Sequence, residues 1–246
     1  MKTLIAVLTV CFVDCCLSQS TGPRINVSGD IELIRLSEHA YVYVSYADVP
    51  SWGRVPSNGL LYISDGEALL FNTPMNDSLT MALVEWIRDS LNVTIAGCIG
   101  NHWHGDGIGG LRYIKSVGIP SYAHEKTIAI GRSKGRPVPQ HSFRDSLTLH
   151  VGREVVVCRY FGAAHTVDNI VSWIPAERIL FGGCMVRELT SETLGNTEDA
   201  DLAAWPSTIA RVIAAYPAVH IVIPGHGALG GSELLRHTQD LLRKTK

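Results

Sequence analysis

The chain has 246 residues, 46% of them hydrophobic, which is enough for a sizeable buried core and excludes a disordered or fibrous polymer. Lysine and arginine (21) nearly balance aspartate and glutamate (23), and no run of like charge occurs. A nucleic-acid groove or a polybasic membrane patch therefore has no electrostatic basis, and a small-molecule partner is expected.

The first twenty residues, MKTLIAVLTVCFVDCCLSQS, carry one lysine at position 2, an apolar run from Thr3 to Val13, then small and polar residues. This is the pattern of a secretory signal peptide cleaved near Ser18 or Ser20. The apolar run is about half of the roughly 20 residues that cross a bilayer, so no permanent anchor is expected. Lipid attachment at Cys11, Cys15 or Cys16 is disfavoured, because the residues before them are not the small ones such a site needs. These three cysteines lie in the leader, leaving Cys98, Cys158 and Cys184 in a mature chain, 21–246, read as one domain. Three is no disulfide scaffold: at least one thiol stays unpaired or meets a metal. Cys98 and Cys158 fall in apolar, strand-like runs and read as small buried hydrophobes. Cys184 stands apart.

Next come two stretches, Ile31 to Tyr46 and Gly59 to Asn72, that alternate or run apolar around turn residues and suggest hairpins in a meander. Between them Ser45 to Gly59, rich in glycine, proline and serine, reads as a loop. The apolar spacing of Asp77 to Leu91 predicts an amphipathic helix with Asp77 or Ser78 as N-cap. A strand follows (Val93 to Ile99), then a helix from about Ile108 to Ser116 and a short strand near Pro120 to Ala123. The second half predicts strands at Ser146 to Val151, Glu154 to Phe161, Asn169 to Ile174 and Arg178 to Phe181. A helix at Asp201 to Tyr216, a strand at His220 to Ile223 and a closing helix at Glu233 to Arg243 complete it. Each half runs strands first, then helix, strand and helix. Two such halves placed sheet to sheet give an α/β fold of four layers, an αββα sandwich.

The stretch NHWHGDGIGG, Asn101 to Gly110, spaces two histidines and an aspartate at alternate positions. A strand would point all three to one face, and a glycine-rich loop would fan them around a point. Either arrangement offers the ligand types zinc takes. Further candidates fall just after predicted strands, in FGAAHTVDN, FGGCMV and PGHGALGG, so that they can converge at one sheet edge. His102, His104, His165, Asp106, Cys184 and His226 make six ligands, twice the three that a catalytic zinc site uses. Three imidazoles suit one site, and an aspartate, a thiolate and an imidazole the other. Asp106 lies two residues from His104, so the metals would be neighbours, as in two-metal hydrolytic sites whose ions lie roughly 3.5–4 Å apart. The other histidines, His39, His124, His141, His150, His220 and His237, lack such spacing and read as surface or capping groups.

His102-Trp103-His104-Gly105-Asp106, followed in order by GAAHTVDN, FGGCMV, LGN and IVIPGHG, resembles a class B metallo-β-lactamase of subclass 1 over nearly the whole mature chain. The resemblance implies two zinc ions per chain, one held by His102, His104 and His165 and one by Asp106, Cys184 and His226. It also implies the αββα fold, a periplasmic location and a monomer. Glyoxalase-type thioesterases of this fold resemble HxHxDH, where this chain has Gly107, and their second metal lacks a cysteine. Subclass 2 enzymes resemble NxHxD, and subclass 3 enzymes have histidine in place of Cys184.

The reaction implied is hydrolysis of the lactam amide of penicillins, cephalosporins and carbapenems by a zinc-activated hydroxide, without a covalent acyl-enzyme. Asp106 would fix the hydroxide and Asn196 would donate to the developing oxyanion. Arg187, three residues after Cys184 where relatives have lysine, would grip the substrate carboxylate. Ser45 to Gly59 resembles a mobile flap with Trp52 near its tip on the apolar part of the substrate, facing a loop with Gly195 and Asn196. Two departures stand out: Asn72 replaces a usual aspartate, and Gly105 and Gly107 leave the ligand motif without neighbouring polar side chains. The competing readings are a lactonase, thioesterase or phosphodiesterase of the same fold, and a zinc-binding protein without catalysis.

Overall fold

The computed structural model describes residues 22–245, so the leader and its cysteines lie outside the described residues. An eight-stranded sheet runs in chain order: β1 (Arg24–Ser28), β2 (Ile31–Arg35), β3 (Ala40–Val49), β4 (Gly53–Ser64), β5 (Glu67–Phe71), β6 (Thr94–Gly100), β7 (Ser121–His124) and β8 (His141–Phe143). The first five strands are antiparallel, and from β5 onward neighbours are parallel. A five-stranded sheet follows from β9 (Ser146–Val151), β10 (Glu154–Tyr160), β11 (Ile170–Ile174), β12 (Ile179–Gly183) and β13 (Ile221–Pro224), with only β12 and β13 parallel.

Alternation along the strands builds the layers. Leu60, Tyr62, Leu69, Phe71, Val156, Cys158, Ile170, Phe181 and Ile223 meet between the sheets. The opposite face of the large sheet (Leu33, Tyr43, Leu61, Leu70) is covered by α1 (Asp77–Leu91) and α3 (Leu111–Ser116) through Leu83, Val84, Ile87 and Ile114. The outer face of the small sheet packs on α5 (Trp205–Ala215) and α6 (Glu233–Lys244) through Trp205, Ile209, Leu234 and Leu241. Four layers result, as expected. Among the described residues no helix is long and apolar enough to cross a membrane. Cys98 and Cys158 are buried in the core, and burial pushes each thiol up to about 12.

Three expectations need correction. The helix forecast from Ile108 is two pieces, α2 (Gly105–Ile108) and α3, because Gly110, at φ −97° and ψ 12°, leaves the helical ladder and donates its N–H to Thr73 Oγ1 at 2.9 Å. The N-cap of α1 is Asn76, whose side chain accepts from Leu79 N at 2.9 Å. Ser45 to Gly59 is not a loop: β3 and β4 stay in register as far as Val49 and Gly53, leaving only Pro50, Ser51 and Trp52 as the turn. His124 is a capping group, one of the two roles expected of it: though buried, its Nδ1 accepts from Lys126 N at 3.2 Å and caps α4 (Glu125–Ser133), a helix the sequence pattern did not reveal.

Candidate metal centre

The C-terminal ends of β6, β10, β12 and β13 point to the same edge of the sandwich, and each releases a candidate ligand within a few residues. From β6 the chain bends through His102 and His104 into the single turn of α2, which carries Asp106. Of the two pictures of this stretch, the strand is not what forms; the histidines lie on a loop, as the other had it, and Asp106 on the single helical turn that follows. The turn places His102 Nε2 3.4 Å from Asp106 Oδ1, at helical i, i+4 spacing. Gly107 makes it possible, because a Cβ there would come within 2.3 Å of the His102 carbonyl oxygen. The small sheet contributes His165 after β10, Cys184 after β12 and His226 after β13.

The donors divide into two groups. The ring nitrogens of His102, His104 and His165 lie within 4.8 Å of one another, with His104 Nδ1 and His165 Nε2 3.2 Å apart. Cys184 Sγ lies 3.0 Å from Asp106 Oδ2 and 3.5 Å from His226 Nε2, and His226 Nε2 is 3.5 Å from Asp106 Oδ2. Asp106 thus turns Oδ1 to the imidazole group and Oδ2 to the thiol. His102, Asp106 and Cys184 also satisfy a 4.8 Å grouping. His226 Nε2 closes a triangle with Asp106 Oδ2 and Cys184 Sγ, whereas the nearer approach of His102 is to Asp106 Oδ1.

These separations suit a tetrahedral zinc with N, O and S ligands at about 2.0–2.3 Å, which sets donors roughly 3.3–3.7 Å apart. Burial supplies a second sign. His102 is fully buried with both ring nitrogens unpartnered, and His165 Nδ1 is orphaned too. Buried imidazoles without partners are costly unless something absent from the protein meets them. Burial pushes His102 down to about 4 and holds His165 well below its usual value, so both are neutral with a lone pair to give. Burial and the Asp106 charge push the Cys184 thiol up, and although burial alone would raise the Asp106 carboxyl, His102, His226 and Cys184 hold it well below the usual range. Burial opposes charge on His226, but Asp106 outweighs it and raises the imidazole.

Outer contacts orient the ligands. His104 Nε2 donates to Asp199 Oδ2 at 2.9 Å, and His226 Nδ1 donates to the Pro56 carbonyl at 2.6 Å. Asn72 Oδ1 accepts from Asn101 N at 2.9 Å, and Asn101 Nδ2 donates to the Ile170 carbonyl, tying the two sheets beside His102. Asn58 Nδ2 donates to the carbonyl oxygens of Pro224 and Gly227, on either side of His226, and Asp199 and Asn58 are contacts of the candidate ligands' segments that sequence reading missed. In GNTEDAD one acid looks like the next, and the PSNGL asparagine looks like a turn residue.

Arg187, Asn196 and Trp52 are the remaining expected site residues. The Arg187 guanidinium lies against Gly195, its Nη2 3.4 Å from Ser191 Oγ, and its charge opposes protonation of both Cys184 and His226. Asn196 Oδ1 accepts from Glu198 N at 3.0 Å, which leaves Nδ2 as the donor. Trp52 stands at the hairpin tip, 62% exposed.

No family model matches the sequence. It is 43% identical over 244 residues to a metallo-β-lactamase type 2 of Bacteroides fragilis, covering 99% of this chain and 97% of the relative. It is 33% identical over 238 residues to a metallo-β-lactamase type 2 of Pseudomonas aeruginosa, covering 97% and 92%. Among solved structures, TMB-1 is similar at a TM-score of 0.85 and 38% identity, covering 89% of this chain and 99% of that one. A metallo-β-lactamase from Pontibacter korlensis is similar at 0.83 and 34%, covering 87% and 99%.

Proposed function

The chain belongs to the metallo-β-lactamase family, and from that premise we propose that it is a zinc-dependent β-lactamase opening the lactam ring of penicillins, cephalosporins and carbapenems. The observation that carries this reading is the triangle of Asp106, Cys184 and His226 beside the trio of imidazoles, with separations of 3.0–3.5 Å in the triangle. His102, His104 and His165 would hold one zinc, and Asp106, Cys184 and His226 a second. When bound, zinc supplies a Lewis acid and makes hydroxide available from water near neutral pH.

The protein's own groups bind and orient the substrate. Arg187 provides a fork of donors for the carboxylate that sits beside the lactam nitrogen. Asn196 Nδ2, released by the bond its oxygen makes to Glu198 N, donates to the carbonyl oxygen as it gains charge. Asp106, acceptor-only once ionised, orients the attacking water as well as serving as a ligand. Trp52 covers the apolar part of the substrate and excludes water from it. Attack by water forms the C–O bond and breaks the lactam C–N bond, whose nitrogen takes up a proton, so no acyl-enzyme arises.

The composition of the first twenty residues supports export to the periplasm and removal of the leader. Mass spectrometry during turnover of a penicillin tests the chemistry. The expected result is a product heavier by one water and protein of unchanged mass. Accumulation of protein carrying the opened penicillin would contradict the mechanism.

A further inference from the structure

Each candidate ligand set is split between the two sheets. Asp106 comes from the large sheet, whereas Cys184 and His226 come from the small one, so the second set closes only when the sheets hold their relative position. Apolar packing does little of this at His226. The chain after it borders a cavity of about 460 Å³, lined in part by Pro56, Asn58, Gly227, Ala228 and Leu229.

Polar contacts take the place of packing. Asn58 on β4, 3% exposed, donates through Nδ2 to the carbonyl oxygens of Pro224 at 3.0 Å and Gly227 at 2.9 Å, while its backbone N–H donates to Gly225 O at 2.8 Å. One residue of the large sheet thus grips the carbonyls on both sides of His226. Two residues earlier on the same strand, the Pro56 carbonyl accepts from His226 Nδ1 and fixes the ring so that Nε2 faces Asp106 and Cys184. Hydrogen bonds that hold a ligand's backbone and ring from outside the coordination sphere set metal affinity.

We propose that Asn58 is a positioning residue that staples the His226 loop of the small sheet to strand β4 of the large one and thereby sets the geometry of the second metal set. The inference rests on the two-metal reading above. Because β4 also carries the flap with Trp52 at its tip, the same staple fixes the distance between flap and second metal.

The test is titration of metal-free wild type, Asn58→Ala and Asn58→Ser with cobalt(II). The near-ultraviolet thiolate-to-cobalt absorbance reports the set with Cys184, the visible bands report total occupancy, and thermal unfolding of the metal-free proteins is recorded alongside. The expected result is a loss of about 10- to 100-fold in affinity at the Cys184 set, with affinity at the histidine set unchanged. Asn58→Ser keeps one donor near the native packing and carries the test if the alanine variant does not fold. Unaltered thiolate titration in folded variants, or equal weakening of both sets with lowered unfolding temperature, would overturn the proposal by making Asn58 merely structural. Wild type that binds cobalt without any thiolate absorbance would instead overturn the two-metal reading.

Discussion

Asn72 shows how one backbone conformation supports the metal site. Its φ of 66° lies in the left-handed region, where asparagine and aspartate are tolerated far better than other non-glycine residues, and its Oδ1 holds Asn101 N just ahead of His102. An asparagine can therefore brace the ligand segment, though its Nδ2 is left buried and unpartnered. Replacing Asn72 with alanine removes the acceptor, at a cost of about 1–3 kcal/mol, and adds left-handed strain of roughly 1–2 kcal/mol. Urea unfolding of the metal-free protein should show a loss of about 2–5 kcal/mol; an unchanged midpoint would contradict the brace. The six candidate ligands could be picked out of the sequence because their residue types are rare neighbours of glycine at strand ends. Their supports were not: Asn58, Asn101 and Asp199 act through hydrogen bonds to partners 29 to 169 positions away, and no local spacing encodes these.

The β3–β4 hairpin is the element where sequence pattern and structure part most. Gly53, Pro56, Ser57 and Gly59 are poor strand residues, and they read as loop, yet the ladder continues because β3 supplies partners residue for residue. Gly59 is required there by contact: a Cβ would fall 2.0 Å from the Tyr43 ring. β1, β8 and α4 were invisible for related reasons, since β8 has three residues and the α4 sequence carries Gly131, which Val138 presses against. By contrast α1 was legible from end to end, its apolar stripe matching the buried Leu83, Val84 and Ile87. With Trp52 exposed at the hairpin tip, Trp52→Ala should change folding stability by no more than about 0.5 kcal/mol. The KM for β-lactams with bulky apolar substituents should rise about 5- to 30-fold with kcat nearly unchanged, as expected for a lost apolar contact of about 1–2 kcal/mol. A fall in kcat at constant KM would contradict this role.

Across the whole molecule the two sheets are tied at both ends. At the end away from the metal centre, the Asp65 carboxylate in the β4–β5 turn accepts from Arg153 N and Nε in the β9–β10 turn, both at 2.9 Å to Oδ2. The Arg153 hydrogen bond lowers the Asp65 carboxyl from 3.8 to about 2. A carboxyl lowered by folding adds stability above its ordinary value and loses it as pH falls through its folded value. The gap in unfolding temperature between wild type and Asp65→Asn should therefore be constant from about pH 5 to 8 and close between about pH 4 and 2. A gap that persists at pH 2 would mean that the ion pair is not its source. Four-layer order was legible because strand and helix periods repeat in each half; the unequal sheets of eight and five strands were not, since pairing of edge strands leaves no periodic trace.

Hydrolysis of a carbapenem by the purified mature protein, followed by its ultraviolet absorbance with and without a zinc chelator, tests the central claim most directly. Turnover that the chelator abolishes and added zinc restores is the expected result. A folded, zinc-loaded protein that leaves the carbapenem intact would contradict the carbapenem assignment and, if penicillins and cephalosporins also survive, the β-lactamase reading itself.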